Sequence, residues 1–351
     1  PVFVERELPD GRRQMATAEN KRQWFNDQHF DEEKPQGTYR VFCVGGSTTY
    51  GHPYDDATSF SGWLREFLPA ADGSRRWEVI NAGGISYASY RVANVVEELA
   101  RYEPDLIIVL SGHNEFLERR TYASVIGTPE VLRDLFTLIG RLRTYSALRR
   151  MVRSLTPNDL TDEEGQILPA EVDAVLDHTI GPESYTRDDA LHRHVLEHYR
   201  FNLHRIVDIA RSADCDVLFI TPASNLADCS PFKSEHRSGL GERDRARWQA
   251  HVDRAIRARE SGEWDAALEA LDDAAAIDDR HAELHYVRGQ ILLEMDRAGD
   301  AKAAFRRARD EDVCPLRATT PLCRTVAEVA ADRQVPLIDF IRLVAEQSPQ
   351  G

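Results

Sequence analysis

Three segments of this chain end an apolar run in residues suited to acyl chemistry. Tyr39-Arg-Val-Phe-Cys-Val-Gly-Gly-Ser-Thr-Thr-Tyr-Gly51 presents one serine, Ser47, in a small-residue turn. Val79-Ile-Asn-Ala-Gly-Gly-Ile-Ser-Tyr-Ala-Ser89 ends in the turn holding Gly84 and Ser86, and Leu106-Ile-Ile-Val-Leu-Ser-Gly-His-Asn-Glu115 ends at Asn114. A serine hydroxyl attacks a carbonyl when the fold exposes it, a base takes its proton and donors await the developing oxyanion. A strand opening onto a helix N-terminus supplies exposure and some of those donors.

Each segment reads as a strand followed by a polar turn. Three such units in order predict an α/β fold, a three-layer doubly wound (flavodoxin-like) parallel sheet with its site beyond the carboxyl ends of the strands. Strands are expected at Tyr39–Val44, Trp77–Asn81, Asp105–Leu110, Asp216–Thr221 and Val335–Phe340. Covering helices are expected near Ser59–Leu68, Tyr87–Tyr102, Leu191–Arg211 and Thr320–Arg333. Residues 1–37 read as a polar, irregular extension whose Trp24-Phe25 pair packs on the domain, and 118–189 as a helical lid or insertion after the third turn.

The three blocks resemble the SGNH/GDSL hydrolase superfamily. Gly45-Gly46-Ser47-Thr48-Thr49-Tyr50-Gly51 is similar to its serine block, with glycine where many members have aspartate. Asn81 to Ser86 is similar to the second block, with Ser86 in place of the usual oxyanion glycine, and Gly112-His113-Asn114-Glu115 to the third, with glutamate for aspartate. The resemblance implies a serine hydrolase of acyl or O-acetyl esters, carbohydrate O-acyl transfer included, that needs no metal or organic cofactor. Ser47 would be the nucleophile. The Ser47 and Ser86 backbone N–H groups and the Asn114 side chain would form the oxyanion hole, with Gly46 and Gly84 shaping the substrate site. The fourth block, Asp-x-x-His, would follow the last strand and a short helix at Ile341–Ser348. With proline at position 1 and Gly351 closing that helix, the expectation is a chain cut short at both ends, its catalytic histidine and aspartate beyond Gly351. Internal matches, Asp189-Ala-Leu-His192 and Asp278-Asp-Arg-His281, do not follow the last strand.

From 244 to 312 the pattern turns helical and repeats with a period of 34. Ala255 matches Gly289, Ala267 matches Ala301, Leu271 matches Phe305, Ala274 matches Ala308 and Asp278 matches Asp312. Small residues let paired helices approach, and Leu271 and Phe305 fill the groove between them. Spacing and residue types resemble tetratricopeptide (TPR) repeats, set as an all-α insertion into a hydrolase domain of residues 38–240 and 318–351. Such repeats imply a protein or peptide partner, or a wall of the active-site cleft. Lys233 and Arg317, flanking the insertion, are candidates for an anionic substrate group.

A net charge of −15 argues against nucleic acid, whose phosphates this chain would repel. The five cysteines include no Cys-x-x-Cys pair. His194-Val-Leu-Glu-His198 matches a zinc-protease pattern, but it falls on a helix whose apolar face must cover the sheet, and no third ligand suggests itself. His52 and His113 read as binding or packing residues. No Gly-Lys-Ser/Thr or Gly-x-Gly-x-x-Gly supports a phosphate or dinucleotide loop. The competing function is a non-catalytic scaffold whose repeats bind a partner beside a relic hydrolase fold. Repeat-bearing hydrolases of this kind often begin with a membrane helix, which implies an anchored, extracytoplasmic domain.

Overall fold

The structure is a computed structural model that describes residues 1–117 and 185–348. Its contacts divide the chain into two units, one of residues 1–117 and 174–351 and the other of residues 118–173. The lid expected at 118–189 lies almost wholly outside the described residues. Every described element belongs to the first unit.

At its centre β4 (Thr38–Gly45), β5 (Arg76–Gly83), β6 (Leu106–Leu110), β7 (Asp216–Ile220) and β8 (Leu337–Ile338) form a parallel sheet in the order β5-β4-β6-β7-β8. The central strands read as continuous apolar runs because both faces are covered. On one face Val41, Cys43, Val79 and Ile108 pack beneath Phe60, Leu64 and Leu68 of α2 (Phe60–Ala71), which follows the short helix α1 (Ser47–Tyr50). By alternation Phe42, Ile107 and Phe219 turn to the other face. There α3 (Ser89–Leu99), α4 (Asp189–Ser212) and α9 (Thr320–Arg333) pack side by side, burying Val96, Leu203 and Val329. The last strand is two residues long, not six. Pro336 has no N–H to give the ladder, and the Asp339 carboxylate accepts the Arg342 N–H to start α10 (Phe340–Gln347).

Residues 1–37 are not irregular. β1 (Phe3–Glu7), β2 (Arg13–Thr17) and β3 (His29–Asp31) form an antiparallel sheet. Phe3 and Phe30 are buried edge to face, and Phe30 continues onto Phe42 of the central sheet. The Glu98 carboxylate accepts the Val2 and Phe3 N–H groups at 2.7–2.9 Å. Phe25 is buried and bridges Gly84, while Ile85 N–H donates to the Trp24 carbonyl, so this sheet buttresses the second site turn.

Between β7 and α9 run four helices, α5 (Glu242–Glu260), α6 (Trp264–Ile277), α7 (Ala282–Glu294) and α8 (Ala298–Glu311). α5 pairs with α6 and α7 with α8. Nine of the ten residues matched at the 34-residue period are buried side chains, and the tenth, Gly289, lies against the Phe305 ring where a Cβ would come within 2.6 Å. The matched aspartates do the same work. Asp278 accepts the N–H groups of Arg280 and Arg237, and Asp312 those of Cys314, Phe232 and Lys233. Segment 230–237 is thereby latched across both hairpins. Leu226, in the loop after β7, inserts among Leu292, Ala304 and Phe305, joining the hairpins to the sheet.

Asp312 is buried and serves three backbone donors. Asp312→Ala would strand them, and unpaired buried donors cost roughly 1–3 kcal/mol each, partly relieved by water. Urea denaturation should show a loss of about 2–4 kcal/mol with an unchanged slope and one transition for sheet and hairpins together. A loss within error of zero would remove the latch from the stability of the fold.

Candidate active site

Parallel register brings the three turns to one edge. Gly45 lies opposite Gly83 of β5 and Leu110 of β6, so the residues that follow emerge side by side. Ser47 opens α1 with Gly46 as its N-cap, and its half-buried hydroxyl makes no hydrogen bond among the described residues. Thr49 Oγ1, buried on the same turn, donates to the Leu110 carbonyl at 3.1 Å and ties α1 to β6.

Asn114 is buried, and its Nδ2 donates to the Tyr87 carbonyl at 3.1 Å. An amide nitrogen has two N–H groups, so a second remains. A Cβ at position 46 would fall 2.3 Å from that nitrogen, which places the Asn114 amide against the backbone that leads into Ser47. Tyr87 N–H in turn donates to the Gly84 carbonyl, closing a turn in which Ser86 has φ of 62°. Glycine occupies that turn position at no steric cost, which accounts physically for the glycine usual in the resembling family. The N–H groups of Ser47 and Ser86 are not taken by hydrogen bonds among the described residues. Three candidate donors and one free hydroxyl thus stand at neighbouring strand ends.

Other residues hold the turns in place. The fully buried Glu115 accepts both the Ser89 N–H and the Ser89 hydroxyl, capping α3. The Asn81 Nδ2 donates to Asp56 and to the Tyr50 carbonyl while its Oδ1 accepts from Gly83 N–H. Burial alone would raise the Asp56 carboxyl, but hydrogen bonds from Arg65, Asn81 and Gln28 hold it below the usual carboxylate range. Sequence reasoning misses Thr49, Tyr87, Ser89 and Asp56; their signal is three-dimensional, since each meets its partner from another segment.

The two candidate cations are engaged elsewhere. Lys233 ion-pairs with Glu235 at 3.1 Å and donates to the Tyr185 carbonyl. Arg317 is buried and donates to the carbonyls of Asn225, Cys229 and Ser230. Both fasten the chain around the insertion. Neither internal Asp-x-x-His motif pairs its own two members, because Asp189 binds Arg280 and Asp278 takes the His236 ring at 2.8 Å. His198 lies against Asn202 and Tyr90, and burial pushes it down to about 4.

His113 ties the third site turn to the segment that precedes α9. Its Nδ1 accepts the Ala318 N–H at 3.1 Å, which leaves the ring proton of the neutral form on Nε2. Burial, with Arg309 and Arg317 nearby, pushes it down to about 4. No histidine meets the Ser47 hydroxyl among the described residues.

No family model matches the chain, and no curated protein matches it. Among solved structures it is similar to AlinE4, an SGNH-hydrolase family esterase, at 13% identity over 54% of this chain and 63% of that one, with a TM-score of 0.28. It is also similar to the acetyl xylan esterase AlAXEase, at 11% identity over 86% of this chain and 78% of that one with a TM-score of 0.33. A third likeness is to TesA, at 13% identity over 84% and 98% with a TM-score of 0.27. The chain spans less than two thirds of the length of AlinE4.

The depressed His113 gives a pH test. An unfolded imidazole takes up its proton near 6.5, whereas the folded one waits until about 4, so the unfolded state binds more protons in between and stability falls as pH drops through that window. At pH 5 this costs roughly 1–2 kcal/mol relative to pH 7.5. His113→Gln should reduce the pH 7.5 to pH 5 loss, read by urea denaturation, by about that amount. An equal loss in both proteins would show that His113 is not held neutral.

Proposed function

We propose that this chain is an SGNH-type serine hydrolase of ester bonds, acting on acyl or O-acetyl groups, with carbohydrate O-acyl esters within its range. One observation supports this above the others: the Asn114 amide lies against Gly46, next to a serine whose hydroxyl and N–H make no hydrogen bond among the described residues. In this reading Ser47 Oγ attacks the ester carbonyl. The Ser47 and Ser86 N–H groups and the second Asn114 N–H receive the oxyanion, in donor positions set before the charge appears. Collapse of the tetrahedral species expels the alcohol, and water then releases the acyl group from Ser47. The resemblance assigns the proton acceptor to an Asp-x-x-His block on the C-terminal side of α10. None of these steps calls for a metal or cofactor.

Helices α5 to α8 are, in the same reading, two TPR-like repeats inserted into the hydrolase domain, where they wall the substrate cleft or dock a peptide. An anchored, extracytoplasmic setting belongs to the proposal too. No described helix is long and apolar enough to cross a membrane.

Ser47→Ala should abolish hydrolysis of p-nitrophenyl acetate by the protein. Asn114→Ala should lower kcat about a hundredfold or more, near 3 kcal/mol, with a much smaller change in KM, because its donor meets charge present only in the transition state. A Ser47→Ala variant at the parent's rate would exclude the nucleophile, and an unchanged kcat would exclude Asn114 from the oxyanion hole.

A further inference from the structure

Two strands along the carboxyl edge from Ser47, the loop after β7, one face of α8, the first turn of α9 and one side of α10 line a half-open cavity of about 210 Å³. Four cations line it: Lys302, Arg306 and Arg309 from α8, at helical spacing, and Arg324 from α9. Arg309 is buried and committed, paired with Asp310 and donating to Thr320 Oγ1 at 2.8 Å. Lys302, Arg306 and Arg324 make no ion pair and no side-chain hydrogen bond among the described residues. Leu226, Ile341 and Val344 make up an apolar wall of the same cavity.

Clustered like charges repel, and this chain has acid in excess, with a net charge of −15, to neutralise cations that need only structural partners. Most other arginines of the hairpins are so neutralised: Arg254, Arg259, Arg280, Arg288 and Arg297 each hold a carboxylate. Three cations with no ion pair among the described residues line one concavity, and their positive field lies beside a wall that favours hydrocarbon. At 210 Å³ the space is below the 300–1,000 Å³ or so of a site that swallows a whole small ligand. It suits the end of a longer one. Neighbouring strands lie about 4.8 Å apart, so β7 is roughly 10 Å from the strand that delivers Ser47.

We propose that this cavity is a subsite for the anionic end of an amphiphilic substrate, a carboxylate or phosphate head on a short apolar stem, whose ester reaches Ser47. The anion site stands on its own geometry; its link to Ser47 rests on the ester chemistry proposed above.

Isothermal titration of the full chain with octyl phosphate below its micellar concentration tests the site, with octanol as the uncharged control. Saturable binding that weakens as salt rises is expected, with none for octanol. Lys302→Glu combined with Arg306→Glu should lower affinity at least tenfold at an unchanged melting temperature. If that pair fails to fold, Arg324→Glu carries the same expectation. No saturable binding by the parent protein, or equal binding by a folded charge-reversed variant, would overturn the proposal. Ser47→Ala should bind as the parent does, which separates the site from the chemistry. The link is read from KM, which should be lower for mono-4-nitrophenyl sebacate, whose chain is long enough to reach from Ser47 to the cavity, than for 4-nitrophenyl decanoate, a preference that collapses in the charge-reversed variant. Binding without hydrolysis of any ester would leave the anion site standing and remove the ester reading.

Discussion

Crowding of backbone on backbone at the ends of β4 and β6 is the constraint on which the rest of this structure depends. A Cβ at Gly45 would lie 1.9 Å from the Leu110 carbonyl oxygen and 2.2 Å from Thr49 Oγ1. Only a residue without a side chain lets β4 end in register with β6 and turn at once into α1. Thr49 then reaches the freed carbonyl, and that bond sets the pitch of the turn that displays Ser47. Asn114 follows from the same close approach, because its amide occupies the space a side chain at position 46 would have filled. The site is therefore less a set of side chains placed on a scaffold than a by-product of how tightly two strand ends are packed.

The insertion obeys a different rule. Its hairpins are held together by a buried apolar core that includes Trp248, Leu271 and Ile291, and they are joined to the sheet by Leu226 and by polar bonds at particular points. Desolvation is the largest influence on both repeat aspartates. It raises Asp312, whereas at Asp278 the Arg280 N–H, the His236 ring and the Arg237 N–H outweigh it and hold the carboxyl low. Two residues matched in sequence thus perform one structural task at different electrostatic cost, since the imidazole beside Asp278 has no counterpart at Asp312.

What could be read from sequence divides along physical lines. Strands buried on both faces announce themselves as apolar runs, so Val41–Val44 and Ile107–Leu110 were plain, and a period of 34 was plain because nearly every matched position is a buried contact. The N-terminal sheet was not, because β1 buries only Phe3 and the rest of its pattern is solvent-facing. Its order comes from Glu98 and Phe30, which no local window contains. Lys233 and Arg317 looked available for a ligand because a cation's partners are invisible when they are carbonyls and carboxylates brought from elsewhere in the chain. The serine and asparagine blocks were legible as small-residue turns after strands; the caps and buried carboxylates that orient them were not, since a helix cap such as Glu115 on Ser89 is written across 26 residues.

The latch at Asp312 also bears on how this chain reaches its fold. β7 and β8 are sheet neighbours, yet the Thr221 to Asp339 contact beside them spans 118 residues. Closing so long a loop from a disordered chain is slow, and parallel pairing is already the slower kind. Helical hairpins form from near neighbours in far less time. Once they have formed, Asp312 gathers Phe232 and Lys233, 80 residues or so upstream, and the two ends of the insertion come to lie side by side. The long connection then behaves kinetically as a short one, and the edge strand can join a sheet that has in effect been waiting only for the remainder of a turn.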